Sequence, residues 1–236
     1  MKLTIFNGSP RGKGSNTKIL MDHFIRGFDE AAAAAVKAAE NEEEQPKFKT
    51  NTAYLVKTGD MEEFLEMFEE SEKVILAFPL YTDAMPGIVK HFIEQLEPFC
   101  GRENNPDIGF VVQSGFPETI HSRYVEKYLE KLAKRLGSKY LGTVIKGGVE
   151  GIQVQPPWMT GKLFDAFYRL GLHFGKTGEF DKEIIQLLAK RERMSGFARF
   201  IYRLLSLTGI TNFYWNAQLK KNNAYDQRYA RPYAGT

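Results

Sequence analysis

The sequence predicts a doubly wound α/β domain followed by a helical segment, and three observations predict it. Short runs of β-branched and aromatic residues, each closed by turn residues, alternate with segments of helical period. The first, third and fourth runs are apolar nearly throughout, as strands are when helices cover both faces of a parallel sheet. The alternation stops after residue 147, and helix-period segments follow one another.

Taken in order, "KLTIFNG" (2–8) reads as the first strand, and a glycine- and serine-rich turn leads from it into a helix near 16–39. The stretch "EAAAAAVKAAENEEEQPKFK" (30–49) is rich in strong helix formers and ends in acids and Pro46, so it reads as that helix running long into a solvated loop. The remaining strands are "TAYLVK" (52–57), "KVILAFPL" (73–80), "DIGFVVQSG" (107–115) and "KYLGTVIKG" (139–147), separated by helices near 60–70, 86–98 and 118–136. Next, "GGVEGIQVQPPWMTGKLF" is a crossing punctuated by glycine and proline, and helices near 160–174, 179–193 and 195–208 follow. In the last of these Phe197, Phe200, Ile201, Leu204 and Leu205 fall on one stripe, with Arg199 and Arg203 on its flank. Such a stripe is covered by the core, by a second subunit or by a membrane surface. The expected organisation is an α/β domain over 1–150 and a helical extension over 151–236, packed on that domain or on a second subunit.

With 236 residues and 43% hydrophobic content the chain can bury a real core. It has no apolar run of about 18 residues and no charged-then-apolar leader, so the expectation is a soluble, cytoplasmic protein without a transmembrane segment. A single cysteine, Cys100, excludes an internal disulfide, an iron–sulfur cluster and a structural zinc, and reads as a buried or idle thiol. The net charge of +3 hides an asymmetry: residues 1–150 carry 19 Lys and Arg against 23 acids, and residues 151–236 carry 13 against 6. A basic tail suits nucleic acid, an anionic membrane, an acidic partner or a neighbouring subunit, and sign alone does not choose.

The turn "FNGSPRGKGSNTKIL" (6–20) carries the first chemistry. Exposed N–H groups at a helix start, together with the positive end of the dipole, make an anion site. Ser9, Ser15, Asn16 and Thr17 offer hydroxyl and amide groups, Arg11 offers a cationic fork, and Gly8, Gly12 and Gly14 let the backbone curl closely. The spacing excludes a nucleoside-triphosphate loop, since three residues separate Gly8 from Gly12 and Lys13 precedes Gly14. It excludes a dinucleotide fingerprint too, because the second strand ends in "VKTG" without the acid that would hold a ribose. What remains is a loop suited to a terminal monophosphate, or an ordinary capped helix after a glycine turn.

Loops after the third and fourth strands lie on the same edge. In "FPLYTDAMPGIVKHFIEQ", Pro79 and Pro86 bracket Leu80, Tyr81, Thr82, Asp83, Ala84 and Met85; "QSGFPET" brings Ser114, Gly115 and Phe116. Rigid backbone, soft apolar surface and small residues make a slot for a flat ring beside the phosphate pocket.

These motifs, "GSPRGKGSNT" and "FPLYTDAMPGIVKHFIEQ" with "VVQSGFPE", resemble the flavodoxin-like, NADPH-dependent FMN reductase family over roughly residues 1 to 150. The resemblance implies a five-stranded parallel sheet in the order 2-1-3-4-5. It implies FMN held at its phosphate by Ser9, Arg11, Ser15, Asn16 and Thr17, with Pro79 to Met85 along the isoalloxazine ring and Ser114 to Phe116 closing its other edge. It further implies NADPH or NADH as reductant, a small electron acceptor such as a quinone or free flavin, and a homodimer or homotetramer. The alanine-rich insertion and the long C-terminal segment depart from the family pattern and leave the acceptor open.

With a flavin carrying the reaction, the protein need supply no nucleophile, and no catalytic residue is assigned. His23, His91 and His173 read as surface or packing residues; His121, just past "SGFPET", is the one histidine placed to give a proton to an acceptor. No metal-ligand spacing and no Ser/His/Asp set is present. Two other readings stand beside the reductase: a one-electron carrier like flavodoxin, and a non-enzymatic module whose basic tail binds nucleic acid or membrane. The basic pI, near 8.8, sets the chain apart from the acidic carriers, and no nucleic-acid motif supports the module.

Overall fold

The structure, a computed structural model, describes residues 1–39, 46–190, 192–209 and 212–231. Five strands, β1 (Lys2–Asn7), β2 (Lys49–Tyr54), β3 (Lys73–Pro79), β4 (Asp107–Gln113) and β5 (Tyr140–Lys146), form one sheet in the order β2-β1-β3-β4-β5. Every pairing is parallel, the topology expected of a flavodoxin-like fold. The long first helix, α1, runs Asn16–Ala38; α2 is Met61–Glu69, α3 Gly87–Gln95 and α4 Arg123–Leu136.

Strand parity explains the two-layer core. Val74, Leu76 and Phe78 of β3 join Ile108, Phe110 and Val112 of β4 on the face covered by α2, α3 and α4. The intervening Ile75, Ala77 and Val111 face the other layer, with Leu3 and Ile5 of β1. Successive side chains of a strand point to opposite faces, so runs buried on both sides must be apolar throughout. β2 begins at Lys49, ahead of the expected 52, because pairing with β1 and not propensity sets its start: Lys2 pairs with Lys49, and the Lys49 N–H bonds to the Met1 carbonyl. The helix expected over 86–98 breaks after Gln95 into a single 3-10 turn, Glu97–Phe99; Pro98 has no N–H to continue it. Cys100, expected buried or idle, is exposed.

Two compact units divide the chain, Met1–Arg193 and Met194–Thr236. The first therefore continues past residue 150, taking in α5 (Pro157–Thr177) and α6 (Lys182–Ala189). Phe167, Leu170 and Phe174 of α5 share a buried cluster with Phe24 and Phe28 of α1. Their axes approach closely because glycines on each helix face the backbone of the other. A Cβ on Gly27 would lie 2.0 Å from the Tyr168 carbonyl oxygen, and one on Gly171 would lie 1.9 Å from that of Phe24. The second unit contains α7 (Gly196–Leu207) and α8 (Phe213–Lys221). The stripe read over 195–208 lies on α7, whereas α8, whose sequence "FYWNAQLKK" has no clear apolar period, was not expected.

Candidate functional site

Strand order reverses between β1 and β3, so the loops leaving their carboxyl ends diverge and open a crevice. The Gly8 N–H bonds to the Ala77 carbonyl at 2.8 Å, holding the two strand ends together at its floor. Gly8 must be glycine there, since a Cβ would meet Val89 Cγ2 at 2.2 Å. Alongside, the Leu80 N–H bonds to the Gln113 carbonyl at 2.7 Å and the Val149 N–H to the Ser114 carbonyl at 3.0 Å. An open cleft results, lined by Ser9, Arg11, Asn16, Pro79, Leu80, Tyr81, Gln113, Ser114, Gly115 and Glu150.

The first loop divides into residues that build the turn and residues that face the cleft. Ser15 builds it. Its side chain caps α1 by accepting from the Lys18 N–H at 3.1 Å, its hydroxyl donates to the Gly12 carbonyl at 2.7 Å, and the Asn7 amide donates to it at 3.3 Å. Thr17, fully buried, accepts from the Gln113 amide at 3.3 Å and lies behind the cleft. Ser9 and Asn16 line the cleft. Ser9 accepts from the Arg11 N–H at 3.3 Å, which leaves its hydroxyl proton available. The Asn16 amide nitrogen donates to the Val149 carbonyl at 2.9 Å, while its buried oxygen has no hydrogen-bond partner among the described residues. Helix geometry leaves the first N–H groups of α1, those of Asn16 and Thr17, without intrahelical acceptors. Arg11 is half exposed, its guanidinium 3.9 Å from the Glu150 carboxylate.

The second wall is a tight turn. Tyr81 and Ala84 exchange backbone hydrogen bonds of 2.8 and 3.0 Å, and Thr82 and Asp83 between them have φ of +50° and +59°. Two consecutive left-handed residues are the geometry of a type I′ turn, at a cost of about 1 kcal/mol or more for each non-glycine residue. One tie holds it from outside: His121 Nδ1 lies 3.0 Å from Asp83 Oδ1, and the imidazole stacks on Phe116 at 4.6 Å. The histidine singled out in the sequence thus links the loops after β3 and β4. Met85 packs against the core beside α3, and Thr82, Asp83, Ala84 and Phe116 lie outside the cleft lining. Gly115 leaves room for close approach, since a Cβ there would already sit 3.3 Å from Glu150.

Two lining residues escaped the sequence reading. Gln113 is the last residue of β4, buried and turned to the crevice, and looked like ordinary strand. Glu150 sits in "GGVEG"; the signal for it was the rule already applied to the other loops, because the segment after β5 leaves the same sheet edge.

Arg11, the Ser9 hydroxyl and the α1 N-terminus form an anion-binding donor set. The Asn16 oxygen, on the same cleft, can accept from any O–H or N–H donor that enters it. Residues 1–109 match the NADPH-dependent FMN reductase family. That match contains the opening loop and the turn after β3, and ends before the loop after β4. Oxidoreductase chemistry with FMN and a nicotinamide is the trait this family carries.

Solved structures of the same fold include NAD(P)H:quinone oxidoreductase from Methanothermobacter marburgensis, at 13% identity and TM-score 0.55, covering 74% of this chain and 96% of that one. The Trp repressor binding protein from Bacillus subtilis aligns at 19% identity and TM-score 0.51, over 71% and 96% of the two chains. An FMN-dependent NADH-azoreductase from Bacillus anthracis, in complex with FMN, aligns at 15% and 0.50, over 82% and 100%. No curated protein sequence matches the chain. Among the described residues no group of three or more His, Cys, Asp or Glu is placed to hold a metal ion.

Proposed function

We propose that the protein is an FMN-dependent oxidoreductase that passes a hydride from NADPH or NADH to a small acceptor such as a quinone or free flavin. The observation that carries this reading is the convergence, at one switch point, of an anion-binding helix terminus with a buried acceptor, the Asn16 oxygen, and two backbone-rich loops. Bound FMN would supply the hydride chemistry itself. The chain's part is to hold and orient. Arg11, Ser9 and the Asn16 and Thr17 N–H groups take the phosphate, and the Asn16 oxygen accepts from the sugar-alcohol chain. The turn at Leu80 and Tyr81 walls one side of the ring, and Ser114 and Gly115 close the other. Tyr81 and Phe116, both nearly half exposed, offer a nicotinamide or acceptor aromatic surface at the rim.

The alternative is a one-electron carrier without nicotinamide turnover. The visible spectrum of purified protein loaded with FMN, followed anaerobically on adding NADPH or NADH, separates the two. Rapid bleaching by nicotinamide supports the reductase. Bleaching by dithionite alone points to the carrier, and failure to take up FMN removes both. The same reading expects a homodimer or homotetramer, which light scattering on the purified protein reports directly.

A further inference from the structure

The second unit carries a surface that the proposed chemistry does not use. Phe197, Phe200, Leu204 and Leu205 lie on one stripe of α7 and all are exposed, as are Phe213 and Trp215 of α8. An isolated exposed Leu needs no explanation, but a contiguous aromatic and aliphatic stripe does. Residues 194–236 also carry six Lys and Arg against one acid, Asp226. Their cations sit with aromatics: Arg228 lies 4.0 Å from the Tyr225 ring centroid and Lys220 lies 5.0 Å from it.

We propose that α7 and α8 form a membrane-surface element, which lays its apolar side chains into the interface of an anionic lipid bilayer while its cations meet the headgroups. Charge decides among the possible occupants. A second copy offers little attraction, because residues 1–193 balance 26 Lys and Arg against 28 acids. Nucleic acid would be gripped by cations along the helix, and it would leave Phe197, Phe200 and Leu204 in water. An anionic bilayer answers both features at once, apolar area for the stripe and negative potential for the cations, and its interface favours Trp and Tyr. No helix among the described residues is long and apolar enough to cross a membrane, so the element lies on the surface.

The test is co-sedimentation of the full chain with phosphatidylcholine vesicles, with and without about one third phosphatidylglycerol. Partitioning to the anionic vesicles is expected to be at least about tenfold stronger, and to fall in about 0.5 M salt as headgroup attraction is screened. Phe200→Ser with Leu204→Ser, both at exposed positions, is expected to abolish it with an unchanged melting temperature of the first unit. In Trp158→Phe, Trp215 becomes the sole indole, and its emission is expected to shift to shorter wavelength on anionic vesicles. Equal partitioning to both vesicle types, or an unmoved Trp215 emission, overturns the proposal. So does a dimer that the double substitution converts to monomer while vesicles bind neither form, since a second copy then covers the stripe. The outcome is independent of whether FMN binds.

Discussion

Ser15→Ala distinguishes a hydroxyl that builds the site from one that touches its guest. In the structure the Ser15 hydroxyl is committed three times, to the Lys18 N–H, the Gly12 carbonyl and the Asn7 amide. Losing an N-cap costs about 1 kcal/mol. Stranding the buried Asn7 amide, whose bond to Ser15 is long at 3.3 Å, adds about 1 kcal/mol, the low end for an unsatisfied buried donor. A total of about 2 kcal/mol in a chain of this size lowers the melting temperature by roughly 4–8 °C. The assay is thermal unfolding of the FMN-free protein followed by far-UV circular dichroism, paired with FMN titration of the same sample at a temperature where it is folded. Arg11→Ala serves as the contrast. The Arg11 side chain is half exposed and, among the described residues, its ion pair is a loose one with Glu150 at 3.9 Å, so its loss leaves the melting temperature in place and weakens FMN binding by about tenfold or more, the worth of one charge-assisted bond. A Ser15→Ala protein that melts like the parent yet binds FMN tenfold more weakly would refute the assignment and make Ser15 a phosphate ligand.

Gly171→Ala places a methyl 1.9 Å from the Phe24 carbonyl oxygen; overpacking outweighs alanine's helix preference, and chemical denaturation is expected to report a net loss of about 1–2 kcal/mol. Thr82→Asn puts a residue that tolerates left-handed backbone where Thr82 has φ of +50°, and is expected to raise stability by up to about 1 kcal/mol in the same experiment. Burial, reinforced by the Arg26 charge, holds His23 below the ordinary histidine value of 6.5. The unfolded chain then binds the proton first as pH falls, so this contribution to stability is complete above about pH 6.5 and declines below it. His23→Phe, which keeps a ring stacked on Phe164, is expected to flatten that acid-side decline in melting temperature.

The alternation of strand and helix and the sheet edge that carries the cleft were legible in the residues, whereas the sheet order came from the family resemblance of the loop motifs. The alternation and the edge follow from local rules: apolar runs with turn residues at their ends mark buried parallel strands, and a parallel crossover places its loop at the strand's carboxyl end. Most of the cleft lining was legible for the same reason, Ser9, Arg11, Asn16, Pro79, Leu80, Tyr81, Ser114 and Gly115 each lying at or beyond the carboxyl end of a strand. Only tertiary structure separated the side chains of Ser15, which builds the turn, and Thr17, which lies behind the cleft, from those of Ser9 and Asn16, which face it. A hydroxyl's partners depend on which carbonyls and amides fold against it, and residue type does not record them. Tertiary structure also brought Glu150 opposite Arg11, and Asp83 to His121 across 38 positions of chain. It alone carried the first compact unit on to Arg193, because the fit of α5 on α1 rests on glycines meeting backbone across sequence-distant helices, a contact that no local pattern encodes.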